Sequence, residues 1–202
     1  MLVVRVTEER FPHAAGVLAH ALLDDPMVRW SLGGTAQDYA DRVDLEDRMT
    51  KFFTIANGFT VARGVMWEAE GSDGVCVWLP PSVVADYARD DVAILRPRLA
   101  AIGFGGTTHH GSMWDWIDER TPPERLWCLD QLGVEPAAQG RGIGSVLVEH
   151  GLAMAREAGE AAFLETGTPR NVAYYERFGF RTVEDADAPD GGPHIWFMRR
   201  EP

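Results

Sequence analysis

Apolar and polar positions alternate through the opening "LVVRVTE", which reads as a short strand. From Phe11 the period becomes helical: Phe11, Ala14, Ala15, Leu18, Ala21 and Leu22 fall on one face. Asp24, Asp25 and Pro26 end that helix, because proline lacks an N–H and restricts the residue before it. A second helix is predicted over about 36–55, with Tyr39, Val43, Leu45, Met49, Phe52 and Phe53 as its apolar side. Two strand-like runs follow, "FTVARGVMWEAE" and "GVCVWLP", joined by the turn "GSDG"; Pro80 and Pro81 stop the second. The pattern is helical again from Val83 to Ala101. "GFGGTTHHGS" then breaks it as a glycine- and histidine-rich loop over 103–111, and "MWDWIDER" forms a short helix. "RLWCLDQLGVEP" is the strongest strand pattern in the chain. After it come a glycine turn with an apolar helix to Gly159, the strand "AAFLET", the helix "NVAYYERFGF" closed by Gly179, and a final strand "GGPHIWFMRR". No repeat or linker interrupts this order, so residues 1–202 are predicted to form one mixed α/β domain.

Composition narrows the partners. With 46% hydrophobic residues and seven tryptophans, the chain can fill a core. A net charge of −12 opposes nucleic-acid binding, which needs clustered cations, and suits small cationic ligands. No apolar run approaches the roughly 20 residues needed to span a membrane. The start "MLVVRVTEERF" meets acidic residues before any useful apolar run, so no export signal is expected. Cys76 and Cys128 sit in strand-like segments and are expected as buried free thiols in a reducing cytoplasm. Neither a disulfide nor a metal site is expected. Only one of the 19 basic residues, Lys51, is a lysine, which we read as a compositional bias.

The stretch "QGRGIGSVLVEHGLA" carries the chemistry. Gly140, Gly142 and Gly144 sit between a strand and a helix N-terminus, where unpaired N–H groups and the helix dipole favour an anion. A kinase-type phosphate loop needs a lysine after its last glycine, and here Ser145 follows Gly144. A dinucleotide fingerprint spaces its glycines G-x-G-x-x-G, and here the third arrives one residue early. A ligand-free structural turn is the remaining reading of the motif taken alone.

The wider segment "LGVEPAAQGRGIGSVLVEHGL" resembles the acyl-CoA signature of the GNAT superfamily of N-acyltransferases, with Gln139, Gly142 and Gly144 at its key positions and Arg141 between the glycines. "FLETGTPRNVAYYERFGF" resembles that superfamily's next strand and helix. Together with "GGPHIWFMRR", "CVWLPPSV" and "LLDDPMVRW" it also resembles the puromycin N-acetyltransferase group, from which "GFGGTTHHGSMWDW" departs. The resemblance implies a GNAT-type acyl-CoA N-acyltransferase fold, α/β with a mixed sheet. An acceptor-side half over about 1–123 would precede an acyl-CoA core over about 124–202. It implies that backbone groups of Leu132, Gly133 and Val134 bond the pantetheine arm. The amides of Gln139, Gly140, Arg141, Gly142, Ile143, Gly144 and Ser145 would hold the pyrophosphate, beside a strand that diverges from its neighbour. The cosubstrate implied is acetyl-CoA, with no metal.

Asn171 and Tyr175 are four apart and share a helix face. Asn171 reads either as a coenzyme A contact or as a helix N-cap. By resemblance, Tyr175 is the general acid that protonates the departing thiolate; the alternative is packing, with Tyr174 turned to the acceptor side or the core. Glu165 matches an acidic position of the puromycin group and reads either as the base that deprotonates the amine or as a structural carboxylate. Asp130, His109 and His110 are weaker candidates for that base. The acceptor pocket is expected around Asp24, Asp25, Trp30 and Tyr39, where acid and aromatic groups suit an amine. The function expected is acetyl transfer to a primary amine of a small molecule, of the aminonucleoside-antibiotic kind, by direct attack in a ternary complex of a monomer or homodimer. The alternatives are a non-catalytic acyl-CoA sensor and a protein or peptide N-acetyltransferase.

Overall fold

The computed structural model describes residues 1–32, 42–71, 73–101 and 107–202. Tyr39, one of the expected acceptor residues, lies outside them. The N-terminal strand is short, β1 at Val3–Arg5. Helix α1 (Phe11–Ala21) buries Ala14, Ala15, Val17, Leu18 and Ala19. Pro26 ends one helix and opens another. In α2 (Pro26–Ser31), Asp25 is the N-cap, its Oδ1 accepting from Met27 N at 2.9 Å and Val28 N at 3.1 Å. Helix α3 (Arg42–Ala62) runs seven residues past the expected end at 55. It absorbs "FTVA", which the sequence pattern assigned to a strand. Thr60 stays in the helix because its Oγ1 donates to Asn57 O at 2.9 Å inside the core. Gly64, at φ +65°, turns the chain into β2 (Met66–Ala69) and then β3 (Gly74–Leu79), both wholly buried.

The helical stretch after Pro80 is two helices, α4 (Pro81–Asp90) and α5 (Arg96–Ala101), joined by a π-helical turn at Asp91–Leu95. Helix α6 (Thr107–Asp118) takes up much of the glycine- and histidine-rich break expected as a loop, His109 and His110 included. The apolar anchors of α6 are the buried Met113 and Ile117. There follow β4 (Leu126–Val134), α7 (Ile143–Ala158), β5 (Ala161–Thr166), α8 (Pro169–Glu176), β6 (Arg181–Asp187) and β7 (His194–Arg200). The sequence pattern missed β6, because nearly all of "RTVEDAD" is exposed and shows no alternation.

The seven strands form one mixed sheet in the order β1-β2-β3-β4-β5-β7-β6, antiparallel throughout except between β4 and β5. The expected mixed α/β class is what the chain adopts. Two paired glycine-bearing positions fix the layers. A Cβ on Gly133 would point at Leu18 and Ala21 of α1, while one on Gly74 would run into Ile143 of α7. Gly133 pairs with Val75 and Gly74 with Val134, so α1 and α7 cover opposite faces. Helix α7 sits so close that a Cβ on Gly151 would enter the Trp78 indole.

Two irregularities in this sheet build the site. Strands β4 and β5 pair only over Leu126–Cys128 against Ala161–Phe163, and beyond Cys128 they part. On its other side β4 carries a bulge: Val77 pairs with Gln131 and Trp78 with Leu129, leaving Asp130 as the extra residue.

Candidate active site

The parted strands frame an open cleft of about 610 Å³, lined by β4, the glycine turn and α8. The turn's glycines answer to two needs. Gly140 and Gly142 have φ +77° and +82°, left-handed conformations that L side chains avoid. Gly144 is there for space: a Cβ would lie 3.0 Å from the Tyr174 hydroxyl, which itself hydrogen-bonds Ser145. Gly142 is the N-cap of α7 and supplies no side-chain acceptor, so the first amides of α7 face the cleft without a cap. Gln139 Nε2 donates to Val134 O at 3.1 Å and ties the strand end to the turn. Arg170 and Arg177 of α8 also line the cleft, Arg177 lying 4.8 Å from the Tyr174 ring centroid. Cations, open helix amides and glycines that clear the backbone together suit a phosphate-bearing ligand. Among the described residues the edge of β4 beyond Cys128 has no strand partner on the β5 side, which suits an extended ligand carrying amides.

The cleft runs into a second, narrower cavity of about 120 Å³. Leu22, Asp25, Leu132, Asn171 and Tyr175 line both. Tyr175 is buried, and that burial, with smaller effects from Tyr174, Asp25 and Glu165, raises its pKa far above the usual phenol value, so it stays protonated. Asn171 is not a cap. Thr168 caps α8, and Asn171 Nδ2 donates to Thr166 Oγ1 at 3.0 Å on the cavity side. Asp25 has a raised pKa, chiefly from burial, partly offset by the two amides it caps.

The cavity's inner walls are acidic. Glu165 on β5 has its pKa pushed up from 4.5 to about 8, first by burial and then by repulsion from Asp130 and Asp118. Asp130 projects from the β4 bulge and is held by a relay: Asn57 Nδ2 donates to Gln131 Oε1 at 2.9 Å, and Gln131 Nε2 donates to Asp130 Oδ2 at 3.0 Å. Cys128 lies close enough to Glu165, Asp130 and Asp118 that they, after burial, hold it as the thiol. Cys76 is likewise kept protonated by burial. Neither cysteine is poised as a nucleophile.

Of the residues expected at the donor site, Leu132, Val134, Gln139, Gly140, Gly142, Ile143, Gly144, Ser145, Asn171 and Tyr175 line the cleft. Gly133 is turned to α1, and Arg141 is exposed outside the lining. Of those expected at the acceptor site, Asp25 stands at the junction. Asp24 lines the donor cleft and pairs with Arg29 at 3.5 Å. Trp30 belongs to neither cavity and packs beside Gly192, and the indole that lines the narrower cavity is Trp114 of α6. Sequence reasoning also missed Asp118, Arg170 and Arg177; Tyr174, expected at the acceptor side or in the core, packs its ring against the core and closes its hydroxyl over the glycine turn. Arg170 and Arg177, seven apart on one helix face, were the signal available. Among the described residues no group of three or more His, Cys, Asp or Glu could hold a metal ion, and no helix is long and apolar enough to cross a membrane.

Comparison with known proteins agrees with this geometry. The peptidyl-lysine N-acetyltransferase YjaB of Escherichia coli (strain K12) is 31% identical over 85 residues, 40% of this chain and 56% of that protein. The chain thus spans little more than half the length of that relative. A Corynebacterium glutamicum protein described as "histone acetyltransferase HPA2 and related acetyltransferase" superposes with a TM-score of 0.66 at 24% identity, over 99% of this chain and 95% of the other. A Drosophila melanogaster polyamine N-acetyltransferase superposes with a TM-score of 0.57 at 17% identity, over 100% and 99%. These two share the fold. The acetyltransferase (GNAT) family matches residues 73–180, from the start of β3 through the glycine turn to the end of the α8 segment, and the chain belongs to that family.

Proposed function

We propose that this protein transfers the acetyl group of acetyl-CoA to a primary amine of a small molecule, by direct attack in a ternary complex. The observation that carries the reading is the meeting of the two cavities: a cleft suited to a phosphate-bearing, amide-bearing ligand opens at Tyr175 and Asn171 into a carboxylate-lined chamber. Acetyl-CoA supplies the thioester. Glu165, with a pKa of about 8, is matched to taking a proton from an ammonium near neutral pH. Tyr175, kept neutral by burial, is suited to donating a proton to the departing thiolate. Both cysteines are held as thiols, which argues against an acyl-enzyme and for direct attack.

The chamber, at about 120 Å³, is narrower than the cleft of about 610 Å³ and favours a slender amine end on the acceptor. Compact amines head the list of acceptors, and a bulkier amine such as an aminonucleoside would enter the chamber by its amine end. A peptide lysine is the second reading, favoured by the name of the E. coli relative.

The test is thiol release from acetyl-CoA across compact primary amines, puromycin and a lysine peptide, with Tyr175→Phe beside the wild type. Turnover of a compact amine, falling about 100-fold in Tyr175→Phe with acetyl-CoA affinity kept, is the expected result. Acetyl-CoA binding with no amine ever acetylated would overturn the reading in favour of a binding module. Full turnover in Tyr175→Phe, where chemistry limits the rate, would remove the tyrosine from its role.

A further inference from the structure

Two carboxylates flank the point where the sheet splits. Asp130 and Glu165 each stand two residues beyond the last β4–β5 pair, Cys128 with Phe163, and both line the chamber. Neighbouring carboxylates resist ionising together, so their surroundings decide which one carries the charge and which takes a proton. Those surroundings differ. Glu165 receives a hydrogen bond only from its own backbone among the described residues, and β7 opposes it with the apolar Phe197. Asp130 receives the side-chain amide of Gln131, Nε2 to Oδ2 at 3.0 Å.

That amide ends a chain of donors that begins in α3. Thr60 shares its hydroxyl proton between Asn57 O at 2.9 Å and Asn57 Oδ1 at 3.2 Å. Asn57 Nδ2 donates to Phe53 O at 3.2 Å and to Gln131 Oε1 at 2.9 Å. With its oxygen held by Asn57, Gln131 turns its own N–H groups to Asp130. Every link donates in the same direction, so the bonds reinforce one another, and donors at a carboxylate favour its ionised form. Asn57 and Thr60 are both 0% exposed, on the helix face that also buries Phe53 and Ala56. An apolar pair would fill that space without needing partners, so the polar chain answers to something at its far end.

The other ionisable groups around Glu165 are Cys128 of β4 and Tyr175 of α8, both kept protonated by burial, and Asp118 of α6, a second repelling charge. Asp25, the cap of α2, lines the same chamber.

We propose that Thr60, Asn57 and Gln131 are positioning residues: their chain of donors holds Asp130 as the ionised carboxylate of the pair, which leaves Glu165 to take the proton of the incoming ammonium. The proposal rests on the acetyl-transfer reading for the ammonium and adds the device that divides the two carboxylates. One N–H bond of the ammonium breaks and one O–H bond forms on Glu165. The lone pair so freed attacks the thioester carbonyl, and Asp130 keeps its charge throughout.

Carbon-13 NMR of the side-chain carboxyls follows both groups in the full chain from about pH 5 to about pH 9, with Glu165→Gln and Asp130→Asn assigning the signals. In the wild type Asp130 should stay ionised from about pH 6 upwards while Glu165 titrates alone at about pH 8. Gln131→Met removes the donor and keeps the side chain's length. It should lower the Glu165 midpoint by at least about one pH unit and bring Asp130 into titration. Should melting show that variant unfolded, Asn57→Leu breaks the chain one link earlier, and the wild-type titration stands by itself. Thiol release from acetyl-CoA with butylamine gives a second readout, its kcat/KM rising with the Glu165 midpoint in each protein. In an Asp130→Asn background Gln131→Met should move that midpoint no further, because no charge is left to hold. A merely structural role would lower turnover in both backgrounds and leave the midpoint in place. An unmoved Glu165 midpoint in Gln131→Met, or a wild-type Asp130 that titrates together with Glu165, would overturn the relay and leave acetyl transfer standing. Separate titrations as expected, with no amine ever acetylated, would overturn the transfer reading and keep the relay.

Discussion

Replacing Glu165 by glutamine should trade activity for stability, with the gain set by pH. Unfolding returns Glu165 to a pKa near 4.5, and the fold raises it to about 8. A carboxyl whose folded pKa is raised has its full stability below the unfolded value, where both states are protonated. Stability is then lost as pH climbs from about 4.5 to about 8, because only the unfolded chain ionises freely, and above 8 the loss is complete. The gap of about 3.5 pH units corresponds to about 5 kcal/mol at about 1.36 kcal/mol per unit. Glutamine removes that cost but brings an amide to satisfy, at about 1–3 kcal/mol. Glu165→Gln should therefore be more stable than the wild type by about 2–4 kcal/mol at pH 8, and no more stable at pH 5. For a chain of this size about 3 kcal/mol is a rise in melting temperature of about 6–12 °C. Paired melts at pH 5 and pH 8 measure the difference. The same variant should lose at least about 100-fold in kcat/KM for a compact amine and the rise in rate through about pH 8. A variant that gains nothing between pH 5 and pH 8, or that keeps wild-type turnover, would refute the reasoning on stability or on catalysis respectively.

Other substitutions probe the donor side. Gly144→Ala puts a methyl 3.0 Å from the Tyr174 hydroxyl; it should raise the KM for acetyl-CoA about tenfold while costing under about 1 kcal/mol of stability in a melt. Arg177→Ala should raise that KM about fivefold at low salt and less at high salt, as expected for an exposed cation meeting phosphate. Gly151→Ala drives a methyl into the Trp78 indole and should destabilise by about 3 kcal/mol or more by denaturant titration, without a selective effect on either KM.

The cleft at the glycine turn was largely legible because its constraints are local. Two left-handed glycines, a helix start and a strand end lie within fifteen residues, and each leaves a residue-type signature. The narrower cavity was not, because it is assembled from distant segments whose residues look ordinary in place. Nothing in "MWDWIDER" marks Trp114 and Asp118 as chamber walls while Trp30 packs beside Gly192. The bulge that projects Asp130 depends on how β3 and β4 align across some fifty residues of intervening chain, which periodicity does not report. The misread "FTVA" shows the same limit: its residues favour strands, and burial of Asn57 and Thr60 against the sheet holds them in a helix.

The separation of β4 from β5 also bears on how this protein meets other chains. A strand edge with free N–H and C=O groups recruits other strands, and exposed edges seed aggregation. The outer edges of this sheet are blunted, one by a β1 of three residues and the other by Glu184, Asp185 and Asp187 along β6. The edge left open after Cys128 runs through the middle of the sheet, flanked by β5 and floored by helices. A folded partner has no approach to it, whereas a slender amide chain does. Its location acts as a filter, keeping the adhesive backbone available to a cosubstrate and out of reach of a neighbouring molecule.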